Sequence, residues 1–394
     1  MPLPPLDPEA QAHSDRLRQL LHAVIADAGG AIPFSRFMEL ALYAPGLGYY
    51  SAGSTKFGRA GDFVTAPELG SLFAECVAEA LAPSLRSLGE GSSFLEIGGG
   101  SGAFAEAAIR HLAAIDAMPA RYAILEPSAD LRERQRARLQ ERLPAELGAR
   151  VEWLDRPLDE AWKGVLFAHE VIDALPTPRF VIRGGEVLEE GVAVTADGGF
   201  AVVEVPADAL MTAAVRHVER QREEGAFADG YRSELLPQLP YWIQAVMGRM
   251  EAGAMLFIDY GYPRREYYAA GRDRGTLRAF HRHHVVDDVF ARVGLQDITA
   301  SVDFTALVEA GTGTGFDFAG YCSQASFLIG NGLEARLAAH EERAANETAR
   351  YALRREVQQL TLPTAMGERF QAMGFERDVP FEAAFLAGDL SFRL

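Results

Sequence analysis

Between residues 92 and 169 short apolar runs alternate with stretches of helical period. Residues 93–97, 121–126, 150–153 and 164–169 read as strands, with helices near 103–112 and 128–143 between them. Strands alternating with helices predict a parallel sheet covered by helices. Upstream, Leu17, Leu20, Leu21, Val24, Ile25 and Ala28 recur every three or four residues, predicting a helix after Ser14 that Gly29-Gly30 ends. A short helix from about Ser35 meets Ala44-Pro45-Gly46, and a glycine-rich aromatic loop follows from Gly48 to Phe63. Thr65-Ala66-Pro67-Glu68 reads as a capping box opening a helix with the stripe Leu69, Leu72, Phe73, Cys76, Val77, Ala80.

After Pro176 the alternation stops. Residues 180–182, 186–194 and 200–205 read as a β-meander, followed by a helix over 207–224. The α/β rhythm resumes with a buried strand at 254–259. A helix near 285–293 and strands near 297–304 and 321–328 complete an expected seven-stranded sheet. The expected organisation is an N-terminal helical cap (1–88), two halves of one doubly wound α/β domain (89–176 and 251–394), and an α+β insertion on the substrate side (177–250).

Composition narrows the function. The chain has 394 residues, 48% hydrophobic and 24% charged, which is ordinary for a globular protein with a large core. Fifty-five acids against 38 bases leave a net charge of −17. That excess lacks the positive field that nucleic acid or an anionic membrane requires, and suits a basic protein or a cationic side chain. Lys56 and Lys163 are the only lysines, a bias expected of a GC-rich bacterial genome. Two cysteines, Cys76 and Cys322, cannot build a disulfide framework, and Cys76 falls on an apolar stripe as a core thiol would. No apolar run approaches the ~20 residues of a membrane span, and residues 1–15 carry neither a basic residue nor an apolar leader core. The expected setting is the bacterial cytoplasm.

Candidate chemistry begins at Glu96-Ile97-Gly98-Gly99-Gly100-Ser101-Gly102-Ala103, where an apolar strand runs through alternate glycines into an alanine-rich helix. Such glycines allow a tight turn and close approach to a ligand beyond the strand's carboxyl end. The segment also fits a dinucleotide fingerprint, so an NAD-dependent oxidoreductase is a rival. Glu96 favours S-adenosylmethionine, because an acid serves its cationic methionine end and repels a pyrophosphate. Glu126 closes the next strand, where ribose hydroxyls accept a carboxylate. Asp155, beyond the third strand, stands as an adenine contact or as a helix N-cap.

The fourth strand ends in His169-Glu170-Val171-Ile172-Asp173-Ala174-Leu175-Pro176. Glu170 and Asp173 lie three apart and can share one side of a turn. They are either a pair that grips a guanidinium or caps of a following helix; His169 is a candidate proton acceptor or, the favoured reading, a plain hydrogen-bonding side chain. His281-Arg282-His283-His284 lacks a carboxylate or cysteine at ligand spacing, and no metal is expected.

Taken together, Pro45-Gly46-x-Gly48-Tyr49-Tyr50, the segment 61–68, Glu96-x-Gly98-x-Gly100-x-Gly102, Glu170-x-x-Asp173-Ala174-Leu175-Pro176, Asp259-Tyr260-Gly261, the segment 297–304 and Met366-Gly367 resemble the MidA-like methyltransferases in this order. The resemblance spans residues 30–375. Mitochondrial members of that family are complex I assembly factors that symmetrically dimethylate an arginine of a complex I subunit. The resemblance implies a class I methyltransferase fold and S-adenosylmethionine as cofactor, with S-adenosylhomocysteine as product. It implies cofactor contacts at Gly98, Gly100, Gly102 and Glu126, joined by Glu96, Asp155 and Thr65. It implies an active-site role for Glu170, Asp173 and the 61–68 segment, Asp62 included. The acceptor it implies is an arginine of a protein, in a respiratory complex subunit. The chain departs from the family's Gly-Pro-Gly at Gly99 and from its Asn-Glu-Phe at His169-Glu170-Val171. An assembly chaperone that binds the cofactor without catalysis is the non-enzyme rival. The oligomeric state is open.

Overall fold

The computed structural model describes residues 5–51, 65–281 and 284–394. The chain forms two compact units that interleave in sequence. The first takes Met1–Lys56, Asp173–Gln238 and Arg264–Ser301; the second takes Phe57–Ile172, Leu239–Pro263 and Val302–Leu394.

In the second unit, α1 (Ala66–Leu69) and α2 (Leu72–Leu88) precede β1 (Ser93–Ile97), α3 (Ala103–Ala114) and β2 (Arg121–Leu125). Then come α4 (Ala129–Arg142), β3 (Val151–Leu154), β4 (Ala161–His169) and β5 (Arg249–Tyr262). β6 (Val302–Asp303), β7 (Asp317–Ser323) and β8 (Phe370–Arg377) complete an eight-stranded sheet. Its order is β7-β8-β5-β4-β1-β2-β3, with β6 paired to β5. β8 runs antiparallel to both neighbours, and the other pairs are parallel. Every residue of β1 is buried, because helices cover both faces of the central strands. The core joins Phe73, Val77 and Leu81 of α2 to Phe94, Phe104, Phe167 and Leu256.

The first unit holds a five-stranded sheet in the order Ala31–Pro33, Glu186–Val194, Arg179–Arg183, Arg232–Glu234, with Phe200–Pro206 on Glu186–Val194. Inside it, Arg179 reaches Glu190 at 2.7 Å and Glu234 at 3.2 Å, and Arg232 reaches Glu190 at 3.0 Å. Both glutamates are fully buried, so removing one partner leaves an uncompensated charge at a cost of about 3–5 kcal/mol.

Several elements differ from the expectation. The first helix starts at Pro8, capped by Asp7, and Ser14 lies inside it with its hydroxyl on the Val293 carbonyl at 2.9 Å. Residues 285–293 form no helix. His284–Val286 pairs with Arg278–His281, and the Asp288 carboxylate accepts from Phe290 N at 2.8 Å, turning the chain locally. Asp297–Thr299 joins that small sheet instead of the large one. The strand expected at 321–328 ends at Ser323, whose hydroxyl caps the helix Gln324–Gly330. The large sheet also contains β8, where the periodicity predicts no strand. Helix α2 belongs to the second unit, and 264–301 to the first.

Candidate functional site

The loop after β1 turns on Gly98, Gly100 and Gly102, whose φ angles of 72°, 51° and 81° are left-handed. Gly102 N closes the turn on Gly99 O at 2.8 Å, and Gly98 N donates to Leu125 O at 3.0 Å. Gly102 occupies the N-cap of α3 and has no side chain to cap it; Ser101 Oγ accepts from the first-turn Ala103 N at 3.3 Å. A Cβ on Gly98 would lie 2.9 Å from Val171 Cγ2, and one on Gly99 would lie 2.7 Å from Ile124 Cγ2. Gly99 is therefore demanded by its neighbours here.

Two acids flank this loop. The Glu96 carboxylate accepts from Tyr122 Oη at 2.7 Å, and both side chains are buried. Burial pushes Glu96 up to about 7; the Tyr122 hydrogen bond opposes this and the charge of Glu126 adds to it. Glu126, one residue past β2, accepts from Ser128 N at 2.9 Å and from Gln135 Nε2 at 3.4 Å. Two such carboxylates suit a ligand carrying a sulfonium, an ammonium and ribose hydroxyls, and repel a pyrophosphate. The residues present thus fit S-adenosylmethionine.

Thr65 stands at the N-cap of α1 but makes no capping bond, and Glu68 does not return to it. The Glu68 carboxylate accepts from Ser101 Oγ instead, tying α1 to the glycine loop. The capping box is thereby corrected: Pro67 and the break at Gly70 leave α1 four residues long, and the acid finds the loop first. Asp155 is exposed beyond β3 and no helix follows it, so it is not an N-cap. Asp62 lies outside the described residues.

β4 delivers the acidic pair. His169 ends the strand, packed on Phe73 at 4.7 Å between centroids, and burial drives its imidazole down to about 3. It is neutral at physiological pH. Its Nε2 lies 3.4 Å from Glu170 Oε1. Glu170 has a left-handed φ of 52°, a conformation an L side chain rarely adopts, and its N–H donates to Ile258 O at 3.0 Å. Ile172 N donates to Asp259 Oδ2 at 3.1 Å. Asp173 is buried, and its carbonyl accepts from Ala300 N at 2.9 Å. Residues 171–178 contain no helix, so neither Glu170 nor Asp173 caps one.

Asp259 and Gln135 were missed as site residues. Asp259 was visible only as a motif residue at a strand end. Gln135 had a signal, being the polar member of the buried stripe Leu131, Gln135, Leu139 on α4. Among the described residues no group of three or more His, Cys, Asp or Glu is placed to hold a metal. His281 Nδ1 lies 2.5 Å from the Leu295 carbonyl, and Arg282 and His283 lie outside the described residues. Cys76 and Cys322 are buried thiols pushed up to about 12 by desolvation. No helix among the described residues is long and apolar enough to cross a membrane.

A seven-strand path in which the antiparallel β8 sits between the edge strand β7 and β5, a glycine loop after β1 and acids at the ends of β1, β2 and β4 define a class I methyltransferase that uses S-adenosylmethionine. Residues 76–322 match the family described as "Putative S-adenosyl-L-methionine-dependent methyltransferase", and the chain belongs to that family. It is similar to the mouse (Mus musculus) Protein arginine methyltransferase NDUFAF7, mitochondrial, with 27% identity covering 92% of this chain and 84% of the relative. The human (Homo sapiens) protein of that name is 26% identical, again over 92% and 84%. A crystal structure from Burkholderia thailandensis bound to S-adenosyl-homocysteine superposes with a TM-score of 0.92 at 39% identity, each chain covered in full. These findings set aside the oxidoreductase and cofactor-binding chaperone rivals.

Proposed function

We propose that this methyltransferase methylates an arginine of a protein substrate, and that the substrate is a subunit of a respiratory complex. The observation that carries the reading is Glu170: a carboxylate held at the end of β4 in a left-handed backbone conformation, with Asp173 three residues on. Backbone strain of this kind costs about 1–3 kcal/mol and persists where the surroundings over-determine it.

When bound, S-adenosylmethionine supplies an electrophilic methyl group for in-line attack. The work left to the protein is to bind and aim the nucleophile. A guanidinium is protonated up to a pH above ~12 and is a poor nucleophile. Carboxylates at Glu170 and Asp173 grip two of its nitrogens, draw the positive charge toward them and leave the third nitrogen facing the methyl carbon. His169, neutral through burial and too weak a base to take up the departing proton, adds no competing cation beside Glu170, whose carboxylate is the acceptor at hand for that proton. Glu96, Gly98, Gly100, Gly102, Glu126 and Thr65 hold the cofactor in this reading, with Asp155 toward the adenine, and Asp62 keeps the catalytic role the resemblance implies. The net charge of −17 suits a basic target segment. The insertion segment faces the protein substrate, and the setting is the bacterial cytoplasm.

Mass spectrometry of methylarginine peptides from cells with and without this chain tests the proposal, beside in-vitro transfer to recovered peptides. Methylation sites that vanish with the gene and return with the wild type, but not with Glu170→Gln, are the expected result. Transfer to lysine or to a small molecule, with arginine untouched, overturns it.

A further inference from the structure

The structure assigns Gln135 as the positioning residue that holds the glycine loop and the Glu126 carboxylate in register for the cofactor, an inference that rests on the cofactor-site reading above. Gln135 is fully buried on α4, between Leu131 and Leu139 of the same stripe. Its Nε2 donates to Gly100 O at 2.9 Å and to Glu126 Oε2 at 3.4 Å; its Oε1 accepts from Trp153 Nε1 at 3.0 Å. One amide thus joins the loop after β1, the acid after β2 and the indole of β3.

The orientation of this amide is determined by chemistry. An indole N–H can only donate, so the amide oxygen must face Trp153. The Gly100 carbonyl and the Glu126 carboxylate can only accept, so the amide nitrogen must face them. A flipped amide loses all three bonds at once. The loop is also built around this side chain: a Cβ on Gly99 would lie 3.1 Å from Gln135 Nε2, and one on Gly102 would lie 3.5 Å from Gln135 Cγ. A fold that needed only to fill the α4 stripe would place leucine there, as it does one turn before and one turn after. A polar side chain buried at this point is retained for its three partners, two of which belong to the cofactor cradle.

The test is a titration of the full chain with S-adenosylhomocysteine by calorimetry, with thermal melts and tryptophan emission recorded beside it. Gln135→Met keeps the volume and removes every hydrogen bond. Gln135→Glu keeps the acceptor for Trp153 and removes the donors to Gly100 and Glu126. Both are expected to weaken binding tenfold or more while the chain still melts cooperatively. In the wild type the ligand is expected to shift the emission of Trp153, identified by its loss in Trp153→Phe, and Gln135→Met abolishes that shift. Glu126→Gln is the reference: if the wild type binds and neither Glu126→Gln nor Gln135→Met weakens it, the cradle reading fails. If Glu126→Gln weakens binding and both Gln135 variants bind as wild type, the Gln135 inference alone is overturned. Loss of cooperative folding in both Gln135 variants also overturns it, because the residue then serves the fold and not the cradle.

Discussion

Asp259 at the end of β5 accepts the backbone N–H of Ile172 at 3.1 Å, so a buried carboxylate on one strand fixes the loop that leaves the neighbouring strand. Its other oxygen accepts from Tyr260 N at 2.9 Å, which holds the carboxylate in place. Asp259→Ala leaves the Ile172 N–H without this acceptor, a loss of about 1–3 kcal/mol. Expected are a lower melting temperature and at least a tenfold slower methyl transfer, with Asp259→Asn between the two. Single-turnover transfer at saturating cofactor checks this, and an Asp259→Ala chain with wild-type transfer would remove the residue from the site.

Asp173→Asn separates gripping from structure. No helix follows Asp173 for it to cap; its backbone carbonyl accepts from Ala300 N at 2.9 Å, its charge acts on Tyr50, and the isosteric amide keeps the backbone bond and the side-chain volume. Losing one charge-assisted contact to a guanidinium should cost about 2–4 kcal/mol in the transition state, or about 30- to 1000-fold in rate. Cofactor affinity and melting temperature should hold. Near-normal transfer by the mutant would take Asp173 out of the mechanism.

Glu96 should couple cofactor binding to a proton. Its carboxyl is raised from 4.5 to about 7, so near neutrality the folded chain holds a proton there that an exposed glutamate has already lost. The titratable neighbours identified at this carboxyl are Tyr122 and Glu126, both from β2 and its end. The sign follows: stability contributed by this group is complete below pH 4.5 and lost as pH rises through about 7. A cationic ligand reverses the preference and expels the proton. Calorimetry at pH 7 in two buffers of different ionisation enthalpy should show proton release, absent in Glu96→Gln. Identical heats in both buffers would contradict it.

Gly99→Ala should destabilise the chain by roughly 1–3 kcal/mol, since the new Cβ falls 2.7 Å from Ile124 Cγ2. Adding Ile124→Ala removes that contact, so the double mutant should recover part of the loss as a coupling energy. Denaturant midpoints of the four chains measure it, and strict additivity would deny the contact.

The central parallel strands β1, β2 and β4 were legible because each carries a buried apolar run that ends at glycine or an acid, a pattern that two covered faces impose. The 285–293 segment was misread because Val285, Val286, Val289 and Val293 are spaced like a helix. Pairing of His284–Val286 with Arg278–His281 outweighs that period, and Asp288 supplies the local turn. β8 escaped notice because Gln371, Gly374 and the preceding Met366-Gly367 break its apolar run, although it is buried along most of its length. At the site, the glycine loop, Glu126 and the 169–173 segment were visible as residue types in sequence order. Glu68 reaching Ser101, Asp259 reaching Ile172 and Gln135 reaching three elements were not visible, because each joins segments that only the folded sheet brings together.

The first unit's sheet also sets a timetable. Its edge strand Ala31–Pro33 pairs with Gly191, Val192 and Ala193 of a strand made much later. At translation rates of roughly 5–20 residues per second, the amino-terminal segment leaves the ribosome on the order of ten seconds before its partner exists. During that wait the apolar faces of Pro8–Asp27 and Phe34–Tyr43, which bury Leu17, Leu21, Phe34 and Phe37 in the finished protein, have only each other and the short strand Ala31–Pro33 to rest on. A slow codon run placed between residues 43 and 186 would therefore lengthen that exposure, whereas one placed after residue 301 would leave it unchanged.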